Sequence, residues 1–139
     1  NGIFRNFYYD LDFAAKLKQK STGHGNRSGV TGLPNPALAH LKIAPGKSSF
    51  EELLTKMDRG IVLESVLGAH SGNILNGDYS VGVSPAFYVE NGKIIGRVKD
   101  IMIAGNVYET LSNVIDIENE KHPGTTQPAI LCDNVNVSA

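Results

Sequence analysis

The sequence predicts an α+β domain: a mostly antiparallel, twisted sheet or open barrel with about three short helices. Three observations predict it. Apolar alternation over residues 79–98 is interrupted by Asn91-Gly92, a pair suited to a tight hairpin. Helical spacing of apolar residues occurs only in short windows, 11–20, 48–57 and 106–117. Glycine is abundant, 15 of 139 residues, and punctuates short runs as turns do.

Taken in order, residues 2–10 (GIFRNFYYD) are aromatic-rich and read as a strand. Residues 11–20 read as a helix with Phe13 and Leu17 one turn apart and a basic C-terminal end. The polar, glycine-rich stretch 21–36 has no periodicity, and a connection that long is functional or mobile. A short strand is expected over 37–46, closed by Pro45-Gly46. The clearest helix follows: Ser49 and Glu52 have capping-box spacing, and Phe50, Leu53, Leu54 and Met57 form one apolar stripe. Residues 60–68 read as a strand, 69–78 as a second Gly/Asn loop, and 79–89 as a strand that Pro85 places at an edge or a bulge. Asn91-Gly92 predicts a type I′ turn with both residues at positive φ, and 93–98 returns as a strand. Asn106 is the expected N-cap of a helix over 106–117 with an apolar face of Val107, Leu111, Val114 and Ile115. Residues 118–128 read as loop. Residues 129–138 read as a closing strand with Ile130, Cys132 and Asn134 on one side.

The length suits one domain, and 41% hydrophobic with 19% charged residues fits a folded protein. Thirteen basic and fourteen acidic residues are interspersed, leaving a net charge of −1 and no basic stripe for nucleic acid. No apolar run is long enough for a membrane span, and no signal peptide is visible. The single cysteine, Cys132, forbids an internal disulfide and favours a reducing, cytoplasmic setting. Because the chain starts Asn1-Gly2, it is expected to be a piece of something longer.

Motifs for chemistry are mostly absent. APGKSS (44–49) resembles the end of a phosphate-binding loop, but Leu41 stands where the first glycine is required and Pro45 lacks an N–H to cradle phosphate. GVSPA (82–86) lacks the last glycine of a nucleophile elbow. The four histidines are dispersed and none begins a metal-binding helix, so no metal ligand and no catalytic residue is assigned. Cys132 has no neighbouring histidine and reads as a small apolar residue. His70, with Asn73, in the loop after the 60–68 strand is the best candidate for contacting a substrate, and His24 with Arg27 in the first glycine-rich loop makes a similar, weaker case.

The run from APGKSSFEELL to IMIAGN resembles the C-terminal half of the TldD/PmbA family. The shared order is P-G-x-S, a short helix, a strand ending near glycine, N-x-x-x-G-D-x-S, ENGK-I, then I-A-G-N and a helix. FYYDLDFAAKLKQKSTGHGNRSG extends the likeness to the front, so it covers nearly the whole chain. Members have been labelled modulators of DNA gyrase, and the family implies a cytoplasmic metallopeptidase acting on peptides or unfolded segments. In TldD-type subunits the resemblance implies a zinc helix upstream and a cysteine ligand between the last helix and the last strand. Here that stretch, ENEKHPGTTQP, has no cysteine, and neither Cys132 nor His122 is given the ligand role.

The expectation is therefore that residues 1–139 form a single C-terminal domain of a PmbA/TldE-like subunit, non-catalytic in itself, with no cofactor of its own and zinc in the full assembly. Its partners would be a peptide substrate and a second subunit, as a homodimer or as a heterodimer with a TldD-like subunit, and neither nucleic acid nor a membrane. Two alternatives stand beside this: part of a catalytic TldD-like zinc metallopeptidase, or a non-enzymatic binding protein that modulates gyrase.

Overall fold

The computed structural model describes residues 3–73 and 75–139. Gly2, at the start of the first expected strand, and Ile74, inside the second loop, lie outside the described residues. The chain divides into two compact units, Ile3–Lys42 and Ile43–Ala139.

In the smaller unit, helix α1 (Leu11–Lys16) starts where Asp10 accepts the Phe13 N–H at 2.8 Å. Its last turn carries Lys16, which meets Asp12 one turn earlier. Two short strands, β1 (Gly25–Asn26) and β2 (Asn35–Pro36), pair antiparallel. The strand expected over 2–10 does not form among residues 3–10. The Tyr9 peptide instead bonds to a loop: its carbonyl accepts the Thr22 N–H at 3.1 Å, and its N–H donates to the Thr22 hydroxyl at 2.7 Å. Of this unit's described residues only Asp10 and Ala14 are buried.

A second correction falls where the larger unit begins. The strand expected over 37–46 is absent, because its backbone groups find separate partners. Ala37 N–H donates to the His24 carbonyl, Ile43 N–H to the Gln127 side chain, and Gly46 N–H to the Glu118 carbonyl. Helix α2 (Phe50–Thr55) then forms as predicted. The Ser49 hydroxyl accepts the Glu52 N–H, and the Glu52 carboxylate accepts the Ser49 N–H, so both halves of the capping box are present. Leu53 is the residue of the apolar stripe that becomes buried.

The expected strand over 60–68 is two, β3 (Arg59–Leu63) and β4 (Val66–Leu67), and 79–89 is likewise two, β5 (Asp78–Val83) and β6 (Ala86–Glu90). Both breaks are corners at which the backbone leaves one sheet for the other. They are bonded to each other: Glu64 N–H donates to the Pro85 carbonyl and Ser84 N–H to the Ser65 carbonyl. Pro85 is therefore at neither an edge nor a bulge. Lacking an N–H, it stands where the ladder stops, and β5 and β6 are interior strands of their sheets.

β7 (Lys93–Val98) completes a three-stranded sheet of order β3-β6-β7. Asn91 and Gly92 have φ of +49° and +74°, as a type I′ turn requires. β8 (Met102–Asn106), a strand not expected from the sequence, lies inside the second sheet. Helix α3 (Val107–Ser112) is shorter than expected. β-branched Val114 and Ile115 open β9 (Val114–Ile117) instead of extending the helix. The closing strand is also two, β10 (Ile130–Cys132) and β11 (Asn136–Ser138), separated by Asn134 at φ +57°. Leu131 is the buried residue of β10, so the inward side is opposite to the one expected from Ile130 and Cys132.

The second sheet has order β11-β8-β5-β4, and β9 pairs with β10. All strand pairs are antiparallel and none of the sheets closes, so the fold is α+β with three α-helices among the described residues. Val83, Ala86 and Ile101 form the core cluster, with Ile61, Val98 and Ile103 packed against it. Val83 and Ala86 flank the Ser84-Pro85 corner, so the core sits where the two sheets join.

Candidate functional site

The loop between β4 and β5 carries His70 and Asn73. Gly68, at φ +81°, turns the backbone into a short 3-10 turn over Ala69–Ser71, and His70 is exposed there. The Asn73 side-chain oxygen is used locally, accepting the Leu75 and Asn76 N–H groups at 3.2 and 3.3 Å. Its backbone closes the turn, with Asn73 N–H donating to the Asp78 carbonyl and Gly77 N–H to the Asn73 carbonyl.

Asn106 locks this turn to α3. Its side-chain oxygen accepts the Tyr108 N–H at 3.0 Å and so caps the helix. Its side-chain nitrogen donates at 2.8 Å both to the Asn76 carbonyl and to the Asp78 carboxylate. Val107 N–H adds a bond to the Gly77 carbonyl. Glycines let the segments approach. A Cβ at Gly77 would stand 2.7 Å from the Tyr108 ring, and one at Gly105 would stand 2.9 Å from the Tyr79 hydroxyl. The N-x-x-x-G-D-x-S and I-A-G-N stretches, distant in sequence, are two halves of one hydrogen-bonded joint.

His24 and Arg27 belong to the smaller unit. His24 Nδ1 lies 2.8 Å from the Thr22 hydroxyl and its ring 5.5 Å from that of Tyr8, so the imidazole braces the Tyr9–Thr22 junction. Arg27 is exposed. An open cleft of about 380 Å³ lies beside α1 against Asp10, Asp12, Ser21 and Pro34, and neither His24 nor Arg27 lines it.

A cluster that the sequence reading passed over surrounds α2 and the start of the 118–128 loop. Glu118, only 3% exposed, accepts the Ala129 N–H at 2.9 Å, and its carboxylate stands 3.3 Å from His122 Nδ1. The imidazole also packs on Phe50, ring centres 4.4 Å apart. Beside it, Asp116 is bonded to the Lys56 ammonium, to the Ser48 hydroxyl at 2.5 Å and to the Ile117 N–H. These bonds, Lys56 first, hold its carboxyl down at about 2. Ser48 and Lys56 are 3.0 Å apart, a spacing that suits a serine nucleophile with a lysine base. Asp116 removes that reading: its carboxylate pairs with the ammonium and accepts the hydrogen bond of the serine hydroxyl. The cluster is a clasp between the segment before α2 and β9, completed by Asn119 N–H donating to the Ser48 carbonyl. Its sequence signal is the Glu118-His122 spacing of four, inside the stretch expected to be loop.

Comparison with known proteins places this architecture. Residues 1–139 match the family model described as the PmbA/TldA metallopeptidase C-terminal domain. The chain belongs to the PmbA/TldD family. It is 33% identical over 135 residues to metalloprotease PmbA of Escherichia coli O157:H7, spanning 97% of this chain and 27% of that protein. A metalloprotease TldD homolog of Buchnera aphidicola (Schizaphis graminum) is 28% identical over 86% of this chain and 25% of its own length. Among solved structures, TldE from Thermococcus kodakarensis matches with a TM-score of 0.86 and 34% identity, over 98% of this chain and 32% of that one. The chain thus spans about a third or less of these relatives.

For a family named as metallopeptidases, the donor set is the test. Among the described residues no three His, Cys, Asp or Glu side chains converge on a point where they could hold a metal ion. Cys132 is half-buried in β10, and burial pushes its thiol pKa up, away from the thiolate a metal needs. Among the described residues of this PmbA/TldD domain, the donors present do not fit a zinc site.

Proposed function

We propose that this domain is the non-catalytic C-terminal part of a PmbA/TldE-type subunit in a cytoplasmic metallopeptidase assembly that processes peptides or unfolded segments. The observation that carries this reading is the order of the likenesses. PmbA and TldE relatives stand at 33–35% identity, and TldD homologs at 26–28%. The metal of such an assembly would be held outside these residues, by a TldD-type partner in a heterodimer or by another part of a homodimer's subunits.

The domain's own contribution is shape and main-chain docking. β3 and β7 are the two edges of one sheet. β7 carries Lys93 and Arg97 and a bulge opposite Tyr88/Val89, devices that discourage further strand pairing. β3 is regular over Arg59–Leu63, with no proline and one charge, at its start. An extended peptide can add to such an edge through main-chain hydrogen bonds, a mode indifferent to peptide sequence. In the same unit, the exposed His70 of the loop between β4 and β5 offers a side chain for a peptide to meet.

Cleavage of an unfolded, fluorescently quenched peptide tests the proposal. The purified 139-residue protein is expected to be inactive, with or without zinc, and chelator-sensitive cleavage by it would overturn the reading. The TldD homologs that align over 82–99% of the sequence support a second reading, in which the complete protein is itself a zinc peptidase. About one tightly held zinc per complete protein in the absence of any partner subunit would decide for that second reading.

A further inference from the structure

Three asparagine-glycine pairs occur in the sequence, and the described ones, Asn76-Gly77 and Asn91-Gly92, both sit in turns. Asn-Gly is the pair most open to spontaneous deamidation, because glycine puts no side chain in the way of its own nitrogen. That nitrogen, losing its proton to solvent base, attacks Cγ of the asparagine. The new N–Cγ bond closes a cyclic imide as the Cγ–Nδ2 bond breaks, and Nδ2 takes a proton from solvent and leaves as ammonia. Water then opens either imide carbonyl, giving aspartate or isoaspartate. Ring closure requires the peptide plane between the two residues to rotate toward the asparagine side chain.

At Asn76-Gly77 that plane is held at both edges. Its carbonyl accepts from Asn106 Nδ2 at 2.8 Å, and its N–H donates to the Asn73 carbonyl at 2.8 Å. A peptide unit is rigid and planar, so bonds to its two opposite edges oppose rotation of the whole unit. The neighbouring units are held as well, through Asn76 N–H to Asn73 and Val107 N–H to the Gly77 carbonyl. At Asn91-Gly92 the glycine N–H is bonded to the Met57 carbonyl at 2.9 Å, and Asn106 plays no part there.

We propose that Asn76-Gly77 is a latent deamidation site that the Asn106 amide keeps closed. The assignment rests on this joint and is independent of the assembly role proposed above. Opening the site would place a new carboxylate next to Asp78. The isoaspartate product would also route the backbone through an extra methylene, so the bond from Asn106 to the residue 76 carbonyl could not reform in register.

The test is peptide mapping by mass spectrometry after incubation at mildly alkaline pH. It compares the folded protein, a synthetic peptide of residues 72–81, and two variants. Asn106→Asp keeps an oxygen to cap α3 and removes the amide donor, and Asn106→Ser keeps a capping hydroxyl without adding charge. Deamidation at Asn76 is expected to be at least about tenfold slower in the folded protein than in the peptide, because only the locally opened state reacts. In both variants the Asn76 rate should rise severalfold toward that of the peptide, while Asn91-Gly92 keeps its wild-type rate. Equal Asn76 rates in wild type and both variants would overturn the proposal. An equal rise at Asn76 and Asn91 would also overturn it, because the protection would then belong to the fold as a whole and not to Asn106.

Discussion

Asp116 shows how a single carboxylate couples this fold to pH. The fold lowers its pKa from 3.8 to about 2, chiefly through the Lys56 ammonium and then through Ser48 and the Ile117 N–H. A lowered folded-state value means that the ionised form is favoured by folding. The stabilisation is therefore fully present above about 3.8 and is lost as pH falls toward about 2. Asp116→Asn should remove this part of the acid sensitivity, giving a flatter melting-temperature profile between those two values than wild type. A variant profile parallel to that of wild type would show that the clasp does not act through this carboxylate. Gly46 is a steric counterpart in the same clasp. A Cβ there would lie 1.9 Å from the Ile117 carbonyl oxygen, backbone that cannot step aside. Gly46→Ala should cost roughly 1–3 kcal/mol in urea denaturation through overpacking.

Among the elements, α2 and the β6–β7 hairpin are specified most locally. Ser49→Ala removes the hydroxyl that accepts the Glu52 N–H, leaving only the backbone half of the capping box, and should destabilise by about 1 kcal/mol. Replacing Asn91 and Gly92 by two valines forces β-branched residues to positive φ, and a Cβ at Gly92 meets Thr55 Cα at 3.1 Å. The melting temperature should fall, with a loss of roughly 1–3 kcal/mol. An unchanged melting temperature would contradict the turn geometry. α3 behaves differently. It buries none of its six residues, and Val107, Tyr108 and Leu111 are exposed, so its place depends on the Asn106 joint and not on an apolar face.

Across the whole molecule, stability is divided unequally between the two units. The smaller unit has about forty residues and buries little beyond Asp10 and Ala14, below the size at which a core sustains itself. The larger unit holds the Val83, Ala86 and Ile101 cluster and the interior strands β5, β6 and β8. Native-state hydrogen exchange should therefore show amides of α1, β1 and β2 exchanging by low-energy local opening, while those of β5 and β8 exchange only near the global unfolding limit. Equal protection in the two units would refute this division. At the same scale, the proposed assembly role rests on the higher identity to PmbA and TldE relatives, 33–35%, than to TldD homologs, 26–28%.

The amino-acid sequence by itself determined those features whose causes lie within a few residues. The Ser49–Glu52 box, the Asn91-Gly92 turn, the Asn106 cap and the α+β class all follow from local spacing and φ preference. The family, too, was legible, because its motifs keep their order along the sequence. What only the tertiary structure decided depends on partners far away in sequence. β8 has little alternation of its own and is a strand because β5 and β11 pair with it on both sides. Val114–Ile117 left the helical pattern for a strand because β10 offers it a ladder. His24 and Asn73, candidates for substrate contact, have hydrogen-bonding atoms engaged at loop junctions, and Glu118 with His122 became a pair only when Ala129 and Phe50 closed around them. A hydrogen bond to a residue thirty or eighty positions away leaves no periodic trace at either end, so the corners, the Asn106 joint and the α2 clasp could be read only in three dimensions.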